Sequence, residues 1–370
     1  MTFSSASNGF GFSVAQIGDI DNDGRPDVAI ADTTAEKVFI YKGRASWPMT
    51  LTDAQADYVI STDPSYASSL FGFSLARLGD FTGDGIDDLA IGVRNFNAGV
   101  GRVVIIPGKS SGFGNVALPD TTNSIVIDGD STFGKPALGY KVLGIGHFYS
   151  VSSGTTLVAS APSGANSTPA NAGHVYAFHG QAGSGGTIAI SSADNVITGM
   201  APATKIGIAL TDLGTMLNGF PAVGIGNTQD ANDVPGATGT GYLTFGTPAT
   251  GPFASSRITY LPTVTSAGAV ILGGGLRGRD ANFSLIGDAT PDLVFGGQTG
   301  STLTISDGAK LGAKTSPIQA GSTAEVIITL PTGWGSGEAA STLMPDLNGD
   351  GAPDFCLGGG NNPGAILVYW

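Results

Sequence analysis

The sequence predicts an all-β protein with the architecture of a β-propeller: six four-stranded blades, with seven as the alternative count. Three observations carry that prediction. With 59 Gly and 20 Pro among 370 residues, the composition suits short strands and tight turns better than helices. The chain repeats itself: "FGFSVAQIGDIDNDGRPDVAIA" from Phe10 aligns with "FGFSLARLGDFTGDGIDDLAIG" from Phe71, and "LMPDLNGDGAPDFCLGG" from Leu343 repeats the second half. Within each repeat the same order of short apolar stretches returns, and four antiparallel strands repeated around an axis bury faces that no single sheet could bury alone.

The elements follow in order. An alternating run opens each unit ("FSVAQIG", "FSLARLG") and leads into an acidic or polar loop. A short apolar strand leaves the loop: "DVAIA", "DDLAIG", "TLVASA", "PAVGIG", "DLVFGG" and "DFCLGG". A third strand comes after glycine or a polar turn ("KVFIYKG", "GRVVIIPG", "GHVYAFHG", "GYLTFG", "STLTISDG", "AILVYW"). A fourth completes five of the units ("DYVIS", "SIVIDG", "DNVITG", "RITYLP", "EVIITLP"). Weaker copies start at Leu138 and Ile206, and the copy at Ser284 keeps its strand with a shortened loop. The chain is expected to form one domain, 1–370, with repeats near 6–66, 67–133, 134–200, 201–264, 265–334 and 335–370. The sixth unit reaches only its third strand at Trp370, so Thr2 to Ser5 is expected to supply the missing fourth strand and close the ring.

Charge and composition exclude some partners. The formal net charge is −13 and only 12% of residues are charged. That disfavours nucleic acid and anionic membrane surfaces, which need basic patches, and leaves multivalent cations attractive. The single cysteine, Cys356, rules out internal disulfides and reads as a buried strand residue. No charged n-region with an apolar core stands at the start, and no apolar run approaches membrane-spanning length.

Three loops superpose. They read Asp19-x-Asp21-x-Asp23-Gly24-Arg25-x-Asp27, Asp80-x-Thr82-x-Asp84-Gly85-Ile86-x-Asp88, and Asp346-x-Asn348-x-Asp350-Gly351-Ala352-x-Asp354. Oxygen side chains stand at positions 1, 3, 5 and 9, with glycine at 6. Calcium takes about six to eight oxygens from a loop that curls around it, with glycine for the sharp turn and a backbone carbonyl at position 7. Arg25, Ile86 and Ala352 would then contribute carbonyls alone. An EF-hand would need glutamate at position 12, where Ile30, Ile91 and Leu357 stand in strands, so the ninth-position Asp is expected to close the cage. About three structural Ca²⁺ sites follow, favoured over magnesium's tight, watered octahedron. Plain Asx turns are the alternative for any one loop, but not for three in equivalent positions. The other three loops start at His147, Asp212 and Asp288, have lost the pattern, and are expected to hold no calcium.

These residues resemble FG-GAP repeats, the units of the integrin α-subunit propeller. Phe10-Gly11 and Phe71-Gly72 match the FG element, with Leu138-Gly139 and Ile206-Gly207 as relaxed versions. The GAP element survives best in Ala159-Ser160-Ala161-Pro162 and elsewhere as small residues such as Ile91-Gly92. The resemblance implies calcium loops between the first two strands of a blade on the lower face, with ligands or partner chains meeting the upper face. It also implies an extracellular or cell-surface adhesion and protein-interaction module whose signal peptide has been removed. Integrin propellers have seven blades, so partner recognition does not transfer wholesale.

No catalytic constellation stands out, and a non-enzymatic role is expected. "GGGLRG" from Gly273 matches G-x-G-x-x-G, but "RDANFSLIGD" follows where a helix should open, so it reads as a turn. His174 and His179, five apart in "GHVYAFHG", fall on opposite faces of a strand and cannot share a metal. In the expected upper loops, Tyr66, Arg94, Phe96 and Trp334 are the candidates for contacting a protein or glycan partner. The alternative function is a carbohydrate-binding lectin or polysaccharide-active propeller. An enzyme of that kind would need a cluster of His, Glu or Tyr converging on the axis, and glutamate is scarce: Glu36, Glu325 and Glu338 only.

Overall fold

Alternating sequences become strands because side chains at i and i+2 share a face, and the computed structural model is built almost wholly of them. It describes residues 2–111, 113–146, 155–167, 170–180, 183, 185–199 and 205–212 and, after that, mainly the strands named below. The chain divides into two compact units, Met1–His147 with Ser152–Pro202, and Phe148–Val151 with Ala203–Trp370.

The first unit opens with β1 (Thr2–Ser4), β2 (Phe10–Gly18), β3 (Asp27–Asp32), β4 (Lys37–Tyr41), β5 (Thr50–Thr52) and β6 (Tyr58–Thr62). Next come β7 (Phe71–Gly79), β8 (Asp88–Val93), β9 (Arg102–Ile106), β10 (Val116–Leu118) and β11 (Ile125–Asp128). It ends with β12 (Val142–Ile145), β13 (Thr156–Ala161), β14 (His174–His179), β15 (Gly186–Thr187) and β16 (Asn195–Thr198). Three antiparallel meanders result: β2-β3-β4-β6, β7-β8-β9-β11 and β12-β13-β14-β16. Short strands absent from the sequence prediction extend them. β10 pairs in parallel with β6, the outer strand of the sheet before it, and β15 does the same to β11. The N-terminal segment forms β1, whose partner is β5, again in parallel.

The core lies between neighbouring sheets and shows the expected two-residue period. From β3, Ala29 and Ala31 face the second sheet while Ile30 joins Phe39, Tyr41 and Leu51 on the other side. From the second sheet, Leu89, Ile91, Val93, Val104 and Ile106 face the first. Ala90, Val103, Ile105, Ile125 and Ile127 turn to the third, where they meet Leu138, Leu157, Ala159 and Phe178. All these side chains are buried, each removing apolar surface from water at roughly 25 cal/mol per Å².

The recurring FG pair has a local cause. β2 and β7 carry register shifts just after Phe10 and Phe71 in their pairing with β3 and β8. Gly72, inside one such bulge, has φ of +80°, which side-chain-bearing residues rarely adopt. A Cβ built there would lie 2.5 Å from the Ala31 Cβ of the preceding sheet. The same close approach joins Gly139 to Gly92, where an added Cβ on Gly92 would sit 2.1 Å from the Gly139 carbonyl oxygen. Small residues late in one sheet's second strand therefore seat the FG glycine of the next sheet. Ser13 Oγ donates to the Gly72 carbonyl (2.6 Å) and Ser74 Oγ to the Gly139 carbonyl (3.0 Å), fastening the same contact in both places.

The second unit contains β17 (Ala209–Asp212), β18 (Ala222–Gly226), β19 (Gly241–Phe245) and β20 (Thr259–Tyr260) in one antiparallel sheet. A further sheet holds β21 (Ala269–Ile271), β22 (Leu293–Gly297), β23 (Thr302–Ser306) and β24 (Ala324–Thr329), and the last holds β25 (Ala340–Met344), β26 (Asp354–Gly359) and β27 (Ala365–Tyr369). The fifth repeat's first strand is thus Ala269–Ile271, in the stretch "AGAVIL", and "SLIG" from Ser284 lies outside the described residues. Cys356 lies in β26, opposite Thr342 and Val368.

Candidate metal centre

Both described acidic loops join the first and second strands of a sheet, β2 to β3 and β7 to β8, and are tied at the same points. The position-1 carboxylate gathers the turn. Asp19 accepts from the backbone N–H of Asp23 (2.9 Å) and Gly24 (2.8 Å). Asp80 accepts from Gly83 (2.6 Å), Asp84 (2.9 Å) and Gly85 (2.9 Å). Position 5 repeats as well: the Arg25 N–H donates to Asp23 (3.1 Å) and the Ile86 N–H to Asp84 (3.0 Å). The position-6 glycines, Gly24 and Gly85, have φ of +89° and +88°, as the sharp turn demands.

The position-9 aspartates anchor the loops from beneath. Asp27 is fully buried and accepts from Ile20 N–H (3.0 Å) and Gly43 N–H (2.8 Å). Asp88, also fully buried, accepts from Phe81 (2.8 Å), Thr82 (2.8 Å) and Gly108 (2.9 Å). Burial pushes the Asp27 carboxyl up to about 6 and that of Asp88 up to about 7, against the pull of these hydrogen bonds. Buried carboxylates that resist ionisation are the groups whose charge a nearby cation would offset.

Ligand atoms of Asp19, Asp21 and Asp27 lie within 4.8 Å of one another, and this is the one acidic cluster of that kind among the described residues. Asp21 has a side chain only 5% exposed, and its Oδ1 is buried with no hydrogen-bond partner. An orphaned carboxylate oxygen is costly unless something positive completes it, so the donor set fits a hard, oxygen-seeking cation. The second loop offers Thr82 at position 3, whose hydroxyl faces Asp88 Oδ1 at 3.5 Å. Asp346, Asn348, Asp350 and Ala352 lie outside the described residues, and Asp354 is described only as the start of β26. Of the degenerate loops, His147 and Asp288 are likewise outside, while Asp212 is buried at the end of β17.

Four residues that motif spacing did not flag shape these loops. Lys42, just past β4, places its Nζ 2.5 Å from Asp21 Oδ2 and 3.0 Å from Asp23 Oδ2. Those contacts raise the lysine and hold the Asp23 carboxyl below its ordinary value. The Tyr58 hydroxyl donates to Asp21 Oδ2 (3.1 Å). Asp87, at position 8 of the second loop, accepts the Asp19 N–H of the first loop (3.0 Å) while Arg77 grips it with two bonds of 2.8 and 2.9 Å. Aligning "IYKG" with "IIPG" shows where one clue lay: Gly43 and Gly108 cap the two ninth-position carboxylates, so Lys42 answers to Pro107.

The candidate partner residues separate. Tyr66 is fully buried: it packs against Phe71 and Phe96, and its hydroxyl accepts from Arg102 Nη1 (2.9 Å). That corrects its expected surface role, because the ring is committed to the core between two sheets. Phe96 is covered on one face by the Arg102 guanidinium (3.8 Å). Arg94 lies over Phe73 (4.4 Å) and Tyr140 (5.4 Å). Trp334 lies outside the described residues. His174 is buried, its ring stacked on Phe133 at 4.5 Å.

Comparison with known proteins places this geometry. Residues 19–91, which span both described loops, match the family model described as FG-GAP-like repeat. Integrin alpha-PS3 of Drosophila melanogaster is 35% identical over 91 residues, 24% of this chain and 8% of that protein. Integrin alpha-4 of Xenopus laevis is 38% identical over 87 residues, 22% of this chain and 8% of that protein. The matched segment thus spans only a small part of these relatives. The solved structure of the Dos1 propeller superposes with a TM-score of 0.50 at 11% identity, covering 99% of this chain and 82% of that one. At that identity the likeness speaks for the fold alone, and the fold is a β-propeller.

Proposed function

We propose that this chain, similar over residues 19–91 to FG-GAP-like repeats, carries its distinctive chemistry in the strand-joining loops and that these bind Ca²⁺ as a structural ion. The protein then serves as a non-enzymatic adhesion or protein-interaction module outside the cell. The observation that carries the reading is the pairing of a gathered position-1 aspartate with a buried position-9 aspartate in both described loops. The unpartnered Asp21 Oδ1 adds to it.

Asp19, Asp21, Asp23 and Asp27 would hold the ion in the first loop, and Asp80, Thr82, Asp84 and Asp88 in the second. By sequence, Asp346, Asn348, Asp350 and Asp354 would hold a third. When bound, calcium supplies a double positive charge that draws oxygen donors together. The chain's own part is to preset the turn through glycine at position 6 and to hold the ninth carboxylate rigid through the backbone N–H of a glycine just past the third strand. The extracellular assignment is supported by the resemblance to integrin α chains. Ion availability also supports it, since sites of about 10⁻⁴ to 10⁻³ M affinity fill only where calcium is plentiful. Among the described residues no helix is long and apolar enough to cross a membrane.

At about 1 mM calcium each site would stabilise the fold by about 0.4 to 1.4 kcal/mol through linkage. Thermal melts with calcium and with EGTA, together with elemental analysis of the purified protein, test the reading. A higher midpoint in calcium is expected. Equal midpoints with no metal on the protein refute it.

A further inference from the structure

The two described loops share a ligand pattern but differ in one respect that bears on their strength as sites. In the first, the Lys42 ammonium stands between positions 3 and 5, 2.5 Å from Asp21 and 3.0 Å from Asp23. In the second, Pro107 takes the lysine's place, and among the described residues no lysine or arginine forms an ion pair with Asp80, Asp84 or Asp88. Arg77 is the one cation nearby in sequence, and it is committed to Asp87, which is not in the ligand set.

We propose that Lys42 is a built-in competitor for the first loop: its ammonium occupies the charge position that a divalent cation would take, making this loop the weaker and less salt-sensitive of the two described sites. The proposal rests on the cation reading above and adds a difference between sites that the shared motif does not contain. Lys42 is anchored at its backbone, where its N–H donates to Asp57 Oδ2 (2.9 Å). Its amine rides on a flexible four-carbon stem and its side chain is 30% exposed, so it can withdraw into water when an ion enters. Two positive centres cannot share Asp21 and Asp23 at these distances without strong repulsion. Filling the loop therefore means breaking both ion pairs, and affinity falls by the worth of those contacts. With Lys42 in place the empty first loop is also partly neutralised, whereas the empty second loop has no such substitute.

Tyr58 makes the first loop separately observable. Its hydroxyl is 3.1 Å from Asp21 Oδ2, so Tb³⁺ bound in this loop would be excited through that ring. The experiment titrates the full chain with Tb³⁺ and then displaces it with Ca²⁺, following tyrosine-sensitised emission. Y58F identifies the fraction that belongs to the first loop. K42Q, which keeps the stem and removes the charge, is expected to lower the half-saturation concentration of that fraction about tenfold, the worth of a partly exposed ion pair or two. K42R keeps the charge and is expected to stay near wild type. Raising salt should narrow the gap between wild type and K42Q, because screening weakens the competitor.

An unchanged or weakened first-loop affinity in K42Q, with clear binding in wild type, overturns the role of Lys42 and leaves the cation reading standing. No saturable Tb³⁺ or Ca²⁺ binding by wild type, Y58F or K42Q overturns both. Should K42Q misfold, K42M with the same readout replaces it, and the circular dichroism of each variant identifies that case.

Discussion

Replacing Gly72 by alanine separates two costs that are usually confounded, because the molecule supplies its own control. Gly11 and Gly72 hold the same place in consecutive repeats, with φ of +84° and +80°. An alanine at either must adopt the left-handed region, at about 1 to 2 kcal/mol. Nothing lies within 4 Å of a Cβ on Gly11, whereas one on Gly72 would meet the Ala31 Cβ at 2.5 Å and Val38 Cγ2 at 3.3 Å. Both of those residues are fully buried, so neither can step aside into solvent. Overpacking of that kind costs about 1 to 3 kcal/mol more. G11A is therefore expected to lose about 1 to 2 kcal/mol and G72A about 2 to 5 kcal/mol. Urea unfolding in saturating calcium, followed by circular dichroism, measures both. In the double variant A31G/G72A the obstructing methyl is gone, and a coupling of at least about 0.5 kcal/mol in the rescuing direction should appear. Equal losses in G11A and G72A, or strict additivity in the double variant, would refute the idea that FG glycines are held by contact with the preceding sheet.

Two further outcomes concern buried polar groups. Removing the Asp88 carboxylate strands three buried N–H donors, and removing that of Asp27 strands one buried and one half-buried. In EGTA, D88A should therefore lose about 3 kcal/mol or more and D27A about 2 kcal/mol, at about 1 kcal/mol or more per stranded donor; urea midpoints in the reverse order would contradict the assignment. His174 is buried and held below its ordinary 6.5 chiefly by that burial, with Asp130 pulling the other way. A histidine with a depressed folded-state value contributes stability that is present above 6.5 and lost as pH falls through the folded-state value. In EGTA, Asp27 and Asp88, raised to about 6 and about 7 in the fold, gain stability as pH falls while His174 loses it, so from pH 7.5 to pH 5 H174F, which keeps a ring against Phe133, should gain more stability, or lose less, than wild type. Equal slopes for the two proteins would show that other groups carry the acid sensitivity.

How much was legible in the sequence depended on how far each feature repeats. Strands such as Asp27–Asp32 and Arg102–Ile106 were readable because a short, nearly continuous apolar run of strand length returns at the same place in the repeat. The loop grammar was readable because oxygen donors recur at fixed offsets around a glycine. β5, β10 and β15 were not readable: they are two or three residues long, too short for any period to register. Lys42 and Asp87 escaped because each acts across the fold, one from the end of a third strand and the other from a neighbouring repeat, and each occurs in a single repeat. Tyr66 misled because the polar stretch "STDPSYASSL" reads as surface, while a one-turn helix at Pro64–Tyr66 tips its ring inward onto Phe71. In the fifth repeat the strand Leu293–Gly297 was legible in "DLVFGG", whereas Ala269–Ile271, which pairs with it, stands too far ahead of the shortened loop for the shared spacing to mark it.

Because β10 lies along β6 and β15 along β11, the sequence period and the folded period are out of phase. A fragment cut at the repeat boundary near residue 66 would leave the β6 edge bare, with an open row of backbone donors and acceptors for any other chain to seize. The smallest excisable piece with a finished outer margin for the first sheet has to run on through Leu118. β1 lies along β5 as β6 lies along β10, so a fragment meant to keep Thr50–Thr52 covered has to retain Thr2–Ser4 as well.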